Sequence, residues 1–220
     1  MSGSNAIGPV YLIGAGPGDP GLLTLRGAQL LGRSDVVLFD GLCNPELLSH
    51  APAAKLVCVG KHGQSRLWTQ AEINREMIRH ARAGQVVSRL KGGDPAVFAR
   101  TSEEVEALRE AGIRFEIVPG ITAALAAGSY AGIPVTDRRL ASAVALVTGH
   151  EEPGKTESAI DWHALARFPG TLVIYMGVTT AGAWTRALIE AGKPPATPVA
   201  LIRRCSHNDQ QTFHCRLDEV

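Results

Sequence analysis

At 220 residues, with 45% hydrophobic and 20% charged side chains, the chain has ordinary globular composition and can bury one large core or two small ones. A formal net charge of +1 argues against a general polyanion or nucleic-acid binder. No apolar run reaches the roughly 18 residues that span a bilayer, and the start of the chain lacks the apolar core of a signal peptide. Cys43, Cys58, Cys205 and Cys215 show neither C-x-x-C spacing nor a close histidine. They read as reduced thiols of a cytoplasmic protein rather than a disulfide frame or a metal site.

After a loose leader over residues 1–9, strands are expected over 10–13, 35–39, 56–59, 85–90 and 114–118. Helices are expected between them over 24–31, 69–83 and 101–111. Two of these open with a capping box, Thr69-Gln70-Ala71-Glu72 and Thr101-Ser102-Glu103-Glu104. Gly84 and Gly112 stand where left-handed C-caps belong. This alternation predicts βαβ units and a parallel sheet. Residues 123–131 form a small apolar helix, and 133–139 are extended and polar. The pattern restarts with a strand over 143–148, a polar loop over 151–158, a strand over 171–176, a helix over 180–191 and strands over 199–202 and 211–216. The expected fold is α/β in two domains, residues 10–136 with a glycine-rich loop and residues 142–220. They are joined near 136–141, and the second is expected to be cut short at Val220.

The chemistry falls at strand ends. Gly14-Ala15-Gly16-Pro17-Gly18-Asp19-Pro20-Gly21 nearly spells a dinucleotide fingerprint, but Asp19 stands where the third glycine belongs and two prolines stiffen the turn. An acidic side chain there repels phosphate, so the loop suits a nucleoside without phosphates better than NAD. Asp40 ends the second strand and either caps a turn before Gly41 or meets a ligand. Lys61 follows the third strand, where a solvated surface lysine is the ordinary outcome. Lys91-Gly92-Gly93-Asp94-Pro95 lets backbone approach a ligand and offers Asp94 as an acceptor. Pro119-Gly120-Ile121-Thr122-Ala123 and Tyr175-Met176-Gly177 repeat the arrangement. Four such loops across two domains point to a binding cleft between them.

Gly14-Ala15-Gly16-Pro17-Gly18-Asp19, Phe39-Asp40, Gly60-Lys61, Arg89-Leu90-Lys91-Gly92-Gly93-Asp94-Pro95, Val118-Pro119-Gly120-Ile121-Thr122-Ala123, Gly132-Ile133-Pro134-Val135-Thr136 and Thr148-Gly149-His150 occur in that order. The series resembles the tetrapyrrole methylases, and within them the branch that C-methylates uroporphyrinogen III. The resemblance implies a homodimer of two-domain α/β subunits with the active site between the domains, and S-adenosyl-L-methionine as cofactor. Carried over by position, cofactor contacts would be Pro17, Gly92, Gly93, Asp94, Val97, Thr122, Ala123 and Met176, with Cys205 placed by spacing from Met176. Asp40 would be the proton acceptor and Lys61 the proton donor. The tetrapyrrole substrate carries eight carboxylates, for which Arg66, Arg89 and Arg138 are the expected cationic partners. His62, Arg100, Arg139 and His150 are further candidates. No metal, membrane or nucleic acid is implied. Three departures stand out: Phe98-Ala99-Arg100-Thr101-Ser102-Glu103-Glu104 replaces a glycine-richer segment, Arg203-Arg204-Cys205-Ser206 replaces a smaller loop, and the family continues with a final helix and strand pair. The glycine loops leave two other readings open, a later precorrin or cobalt-precorrin methyltransferase and a non-catalytic cofactor-binding module of a larger fusion.

Overall fold

Residues 6–60, 68–151 and 158–220 are described by the computed structural model. They fall into two compact units, Met1–Ala123 and Ala124–Val220. The division lies ahead of residues 136–141, which sit inside the second unit and form a turn closed by a bridge between Asp137 and Ala141.

The first unit is built on a five-stranded sheet of β1 (Val10–Gly14), β2 (Val36–Phe39), β3 (Lys55–Cys58), β4 (Val87–Lys91) and β5 (Phe115–Val118), in the order β3-β2-β4-β1-β5. Every pairing is parallel. Such sheets are covered on both faces, so their inner strands lose the alternation of a half-exposed strand. All five residues of β4 are buried accordingly. Helices α1 (Leu25–Leu31), α2 (Gln70–Arg82) and α3 (Thr101–Glu110) supply the cover. The two-residue period of the strands sorts the core. Val10, Leu12, Val36, Leu38 and Val87 face Ile73 and Met77 of α2 and Val105 and Leu108 of α3. Ile13, Val37, Leu90 and Val118 face Leu30 and Leu31 of α1 and Leu47. Leu47 belongs to a 3-10 helix, Pro45–His50, that the sequence pattern did not announce.

This connectivity places a switch point at the centre of the sheet. From β1 the chain passes through α1 on one face to β2, while from β4 it passes through α3 on the other face to β5. Neighbouring strands β1 and β4 therefore send their following loops in opposite directions. The crevice so opened at their carboxyl ends is where α/β sheets bind ligands.

Helix α2 begins with the expected capping box: the Thr69 hydroxyl accepts from the Glu72 amide at 3.2 Å, and the Glu72 carboxylate accepts from the Thr69 amide at 2.8 Å. Helix α3 departs from expectation. Its N-cap is Arg100 in the left-handed region at φ +53°, with no side-chain cap. The Thr101 hydroxyl donates to the Pro95 carbonyl instead, and Glu104 turns into the core.

The division falls within the first turn of α4 (Ala123–Tyr130), the rest of which opens the second unit. A parallel pair, β6 (Val144–Thr148) and β7 (Thr171–Tyr175), follows with α5 (Trp162–Ala166) and α6 (Ala181–Glu190), then the antiparallel hairpin β8 (Pro198–Arg203) and β9 (Gln211–Arg216). The short helix α5 is a further element absent from the sequence reading. Its core gathers Trp184 and Leu188 of α6 with Leu217, packed against Trp162, Leu172 and Ile174. No helix among the described residues is long and apolar enough to cross a membrane.

Candidate active site

At the switch point three strand-end loops are joined backbone to backbone. The Ala15 amide donates to the Lys91 carbonyl at 2.7 Å, and Gly16 and Gly93 exchange amide–carbonyl bonds of 3.1 and 2.8 Å. Gly93 holds φ +68°, a conformation that disfavours any side chain. A Cβ on Gly120 would lie 2.3 Å from the Gly93 carbonyl oxygen, and one on Gly14 would lie 2.5 Å from the Gly120 Cα. No other residue type allows that approach. Asp94 completes the junction, one oxygen accepting from the Gly120 amide at 2.9 Å and the other from the Ala96 amide at 2.7 Å.

Gly92 is different. A Cβ there would meet only the Leu42 Cβ, at 3.8 Å, so the space beside it is one a side chain could fill. Pro17 and Val97 are half-buried nearby in sequence, and Thr122 is buried at the end of the β5 loop. Residues 14–18 and 119–123 carry no cation. The amides of Ala15, Gly16, Gly93 and Gly120 donate to protein acceptors and are not turned to a phosphate, so a glycine-lined, cation-free wall of this kind fits a nucleoside cofactor better than a pyrophosphate.

Beside the junction lies a pocket of about 270 Å³ whose lining includes Asp40, Trp68, Gln70, Arg89 and Lys91. Asp40 follows β2 and keeps its side chain 30% exposed. It accepts from Nη2 of Arg89, whose side chain is only 4% exposed. Nε of Arg89 donates to Oε1 of Glu104 at 3.2 Å, and Nη1 donates to the Leu90 carbonyl at 3.1 Å. Oε2 of Glu104 accepts from Nζ of Lys91 at 2.6 Å. The result is a row of alternating charges, Asp40, Arg89, Glu104, Lys91. Burial opposes the charge on Arg89, but Asp40 and Glu104 outweigh it and raise the guanidinium above its ordinary range. For Lys91 burial dominates over the attraction of Glu104, and the ammonium is pushed down.

The wall between this pocket and a second depression, of about 460 Å³, is strained. Phe98 and Arg100, which line both, hold φ values of +50° and +53°. Such non-glycine conformations cost of order 1–3 kcal/mol and concentrate at functional sites.

The sequence-predicted residues divide as follows. Asp40, Arg89, Gly92, Gly93, Asp94, Pro17, Val97, Thr122 and Ala123 all stand at or just beyond the carboxyl ends of the first unit's strands, apart from Arg89 within β4. Lys61, His62 and Arg66 lie outside the described residues. Met176 follows β7 at φ +55° and is 53% exposed. Cys205 sits in the β8–β9 turn, flanked by Arg204 and Ser206 at φ +51° and +63°, and burial pushes its thiol up. Arg138 and His150 are exposed. Arg89, expected to grip a ligand carboxylate, directs all three of its nitrogens to protein acceptors. Glu104 and Lys91 were missed as members of the site. Their signal was present, because Arg89 and Lys91 share one strand face and require a buried carboxylate, but Glu104 had been read as a cap.

A family profile described as Tetrapyrrole (Corrin/Porphyrin) Methylases matches residues 9–220. The chain is 50% identical over 212 residues to an S-adenosyl-L-methionine-dependent uroporphyrinogen III methyltransferase of Methanosarcina barkeri, covering 96% of this chain and 82% of that one. It is 47% identical over 214 residues to a siroheme synthase of Zymomonas mobilis, covering 97% of this chain but only 45% of that protein. Among solved structures, the uroporphyrin-III C-methyl transferase of Thermus thermophilus complexed with S-adenyl homocysteine superposes with a TM-score of 0.84 at 44% identity, covering 97% of this chain and 90% of that one.

Proposed function

Because the chain belongs to the tetrapyrrole (corrin/porphyrin) methylases, we propose that it C-methylates uroporphyrinogen III at C2 and C7 with S-adenosyl-L-methionine, giving precorrin-2 on the way to sirohaem or cobalamin. The observation that carries this reading is the pairing of the stitched glycine loops with a carboxylate, Asp40, held by a buried arginine at the carboxyl end of the same sheet. The identity to the Methanosarcina methyltransferase supports the choice of substrate over a later precorrin.

The cofactor, when bound, supplies a sulfonium-activated methyl carbon to an electron-rich pyrrole carbon of the substrate. The protein's task is then alignment and exclusion of water. Gly92, Gly93 and Asp94, with Pro17, Val97, Thr122 and Ala123, would hold the cofactor largely through backbone. Met176 and Cys205 belong to the same proposal. Asp40 would stabilise the positive charge that develops on the methylated ring, or accept the proton whose loss discharges it. Arg89 holds that carboxylate in one orientation, so its role in the proposal becomes the setting of Asp40. Lys61 would donate a proton or pair with a substrate carboxylate, and Arg66 and Arg138 would bind further carboxylates by their planar forks. A cytoplasmic homodimer completes the proposal.

Calorimetry with S-adenosylhomocysteine and a methyl-transfer assay on uroporphyrinogen III test the reading. The expected result is saturable binding and a red-fluorescing oxidised product. Asp40→Ala should lower kcat by roughly 10²–10⁴-fold, the usual weight of a general acid–base group, with cofactor affinity within about twofold of native by the same principle of separate roles. Binding of NAD in place of S-adenosylhomocysteine would overturn the reading, whereas native turnover by Asp40→Ala would remove only the role given to Asp40.

A further inference from the structure

Glu104 lies in the first turn of α3 with no exposed surface. Its carboxylate takes three donors: Nε of Arg89 at 3.2 Å and Nε2 of Gln70 at 3.2 Å on Oε1, and Nζ of Lys91 at 2.6 Å on Oε2. Burying a carboxylate with two cations costs several kcal/mol per ion before mutual attraction offsets it. A cheaper use of the same residue was open to the chain, because Thr101-Ser102-Glu103-Glu104 has the spacing of a capping box. The helix forgoes it, starts instead from a strained Arg100, and sends Glu104 inward onto the face of β4 that bears Arg89 and Lys91.

We infer that Glu104 is a positioning residue for methyl transfer, fixing Arg89 so that Arg89 in turn fixes Asp40. The inference rests on the role proposed above for Asp40. A guanidinium has one Nε–H and two outer amino groups in a rigid plane. With Nε held by Glu104 and Nη1 by the Leu90 carbonyl, the plane cannot turn, and Nη2 is held where it donates to Asp40. Lys91 has a separate part in the arrangement. Without its charge on Oε2, Glu104 would compete with Asp40 for the arginine. With it, Glu104 is shared between two cations, and more of the attraction of Arg89 is left to Asp40. Gln70, at the start of α2, restrains the same carboxylate from the other helix and itself contacts Asn74.

The test uses the full chain and four variants: E104Q, E104Q/K91M, D40N, and the triple variant that combines all three substitutions. E104Q alone leaves two buried cations against Asp40 and can fail to fold. E104Q/K91M removes one charge of each sign, the kind of buried-pair replacement that proteins tolerate. It is expected to unfold in urea near the native midpoint, to bind S-adenosylhomocysteine within about twofold of native, and to lose on the order of 100-fold in kcat, as for a group displaced by about an ångström. Because Glu104 acts through Asp40, the triple variant should be no slower than D40N, whereas independent roles would multiply the losses. Native kcat in E104Q/K91M, or multiplied losses in the triple variant, would overturn the inference while leaving the role of Asp40 intact. Native kcat in D40N would instead remove the reading on which it rests.

Discussion

The Cys43 thiol lies beneath the Asp40 turn, its amide donating to the Asp40 carbonyl at 3.0 Å and its sulfur 3.5 Å from the Leu90 carbonyl. Burial, reinforced by the charge of Asp40, pushes it from the ordinary 9.0 up to about 12. The sign of its effect on stability follows. Below the unfolded value neither state ionises the thiol, so it adds no pH dependence. Between that value and the folded one the unfolded chain releases the proton and the folded protein keeps it, so stability falls as pH rises, by up to about 1.4 kcal/mol per pH unit. Urea unfolding at about pH 8 and about pH 10.5 should therefore show a loss in the native protein that exceeds the loss in Cys43→Ala by about 2 kcal/mol. Equal losses in the two proteins would mean that the thiol ionises in place. The same burial makes Cys43 a weak nucleophile, since only a thiolate reacts readily.

The three loops after β1, β4 and β5 behave as one element, although about a hundred residues separate the first from the last. Gly120→Ala places a methyl group against the Gly93 carbonyl and should cost 1–3 kcal/mol, roughly what overpacking costs elsewhere, with a matching loss of S-adenosylhomocysteine affinity. Asp94→Asn keeps one acceptor oxygen and gives up a charge-assisted bond to an amide, so a milder loss of about 1–2 kcal/mol is expected. A calorimetric and urea comparison of the two variants checks both the order and the coupling of affinity to stability. The loops themselves were legible in the sequence by their recurrence, because Gly-Gly-Asp-Pro or Pro-Gly alone reads as ordinary turn chemistry and only its repetition at strand ends of a βαβ series points to a site. The strands and helices of the first unit were legible from their periods and caps to within a residue or two. The misreadings share one physical origin. Thr101 and Glu104 satisfy a local rule, and tertiary partners from β4 and the Pro95 turn outweigh it. Local patterns carry no record of a partner many residues away, so Arg89 and Lys91 on one strand face signal a buried carboxylate without pointing to Glu104 as the residue that supplies it. The 3-10 helix at Pro45–His50 and the five-residue α5 escaped for a simpler reason, being too short to show a period.

At the scale of the molecule the two units differ in how much core each owns. The first holds two clusters of twelve and ten buried hydrophobic residues, and the second holds a cluster of three, among the described residues. Apolar burial dominates stability, so the second unit should open first. Trp162 and Trp184 pack within it and Trp68 within the first. Tryptophan fluorescence of Trp68→Phe should therefore change at lower urea than the helical signal at 222 nm, roughly the usual wavelength for such a test of two-state behaviour. Coincident transitions would show that the units unfold together. The strand order has its own consequence during synthesis. β1 pairs with β4 on one edge and β5 on the other, the latter roughly a hundred residues downstream. At about 5–20 residues per second, a ribosome leaves β1 waiting roughly 5–20 seconds for its last neighbour. Through that interval Val10-Tyr11-Leu12-Ile13 is an apolar ribbon with an open side, the form of nascent chain that holding chaperones recognise.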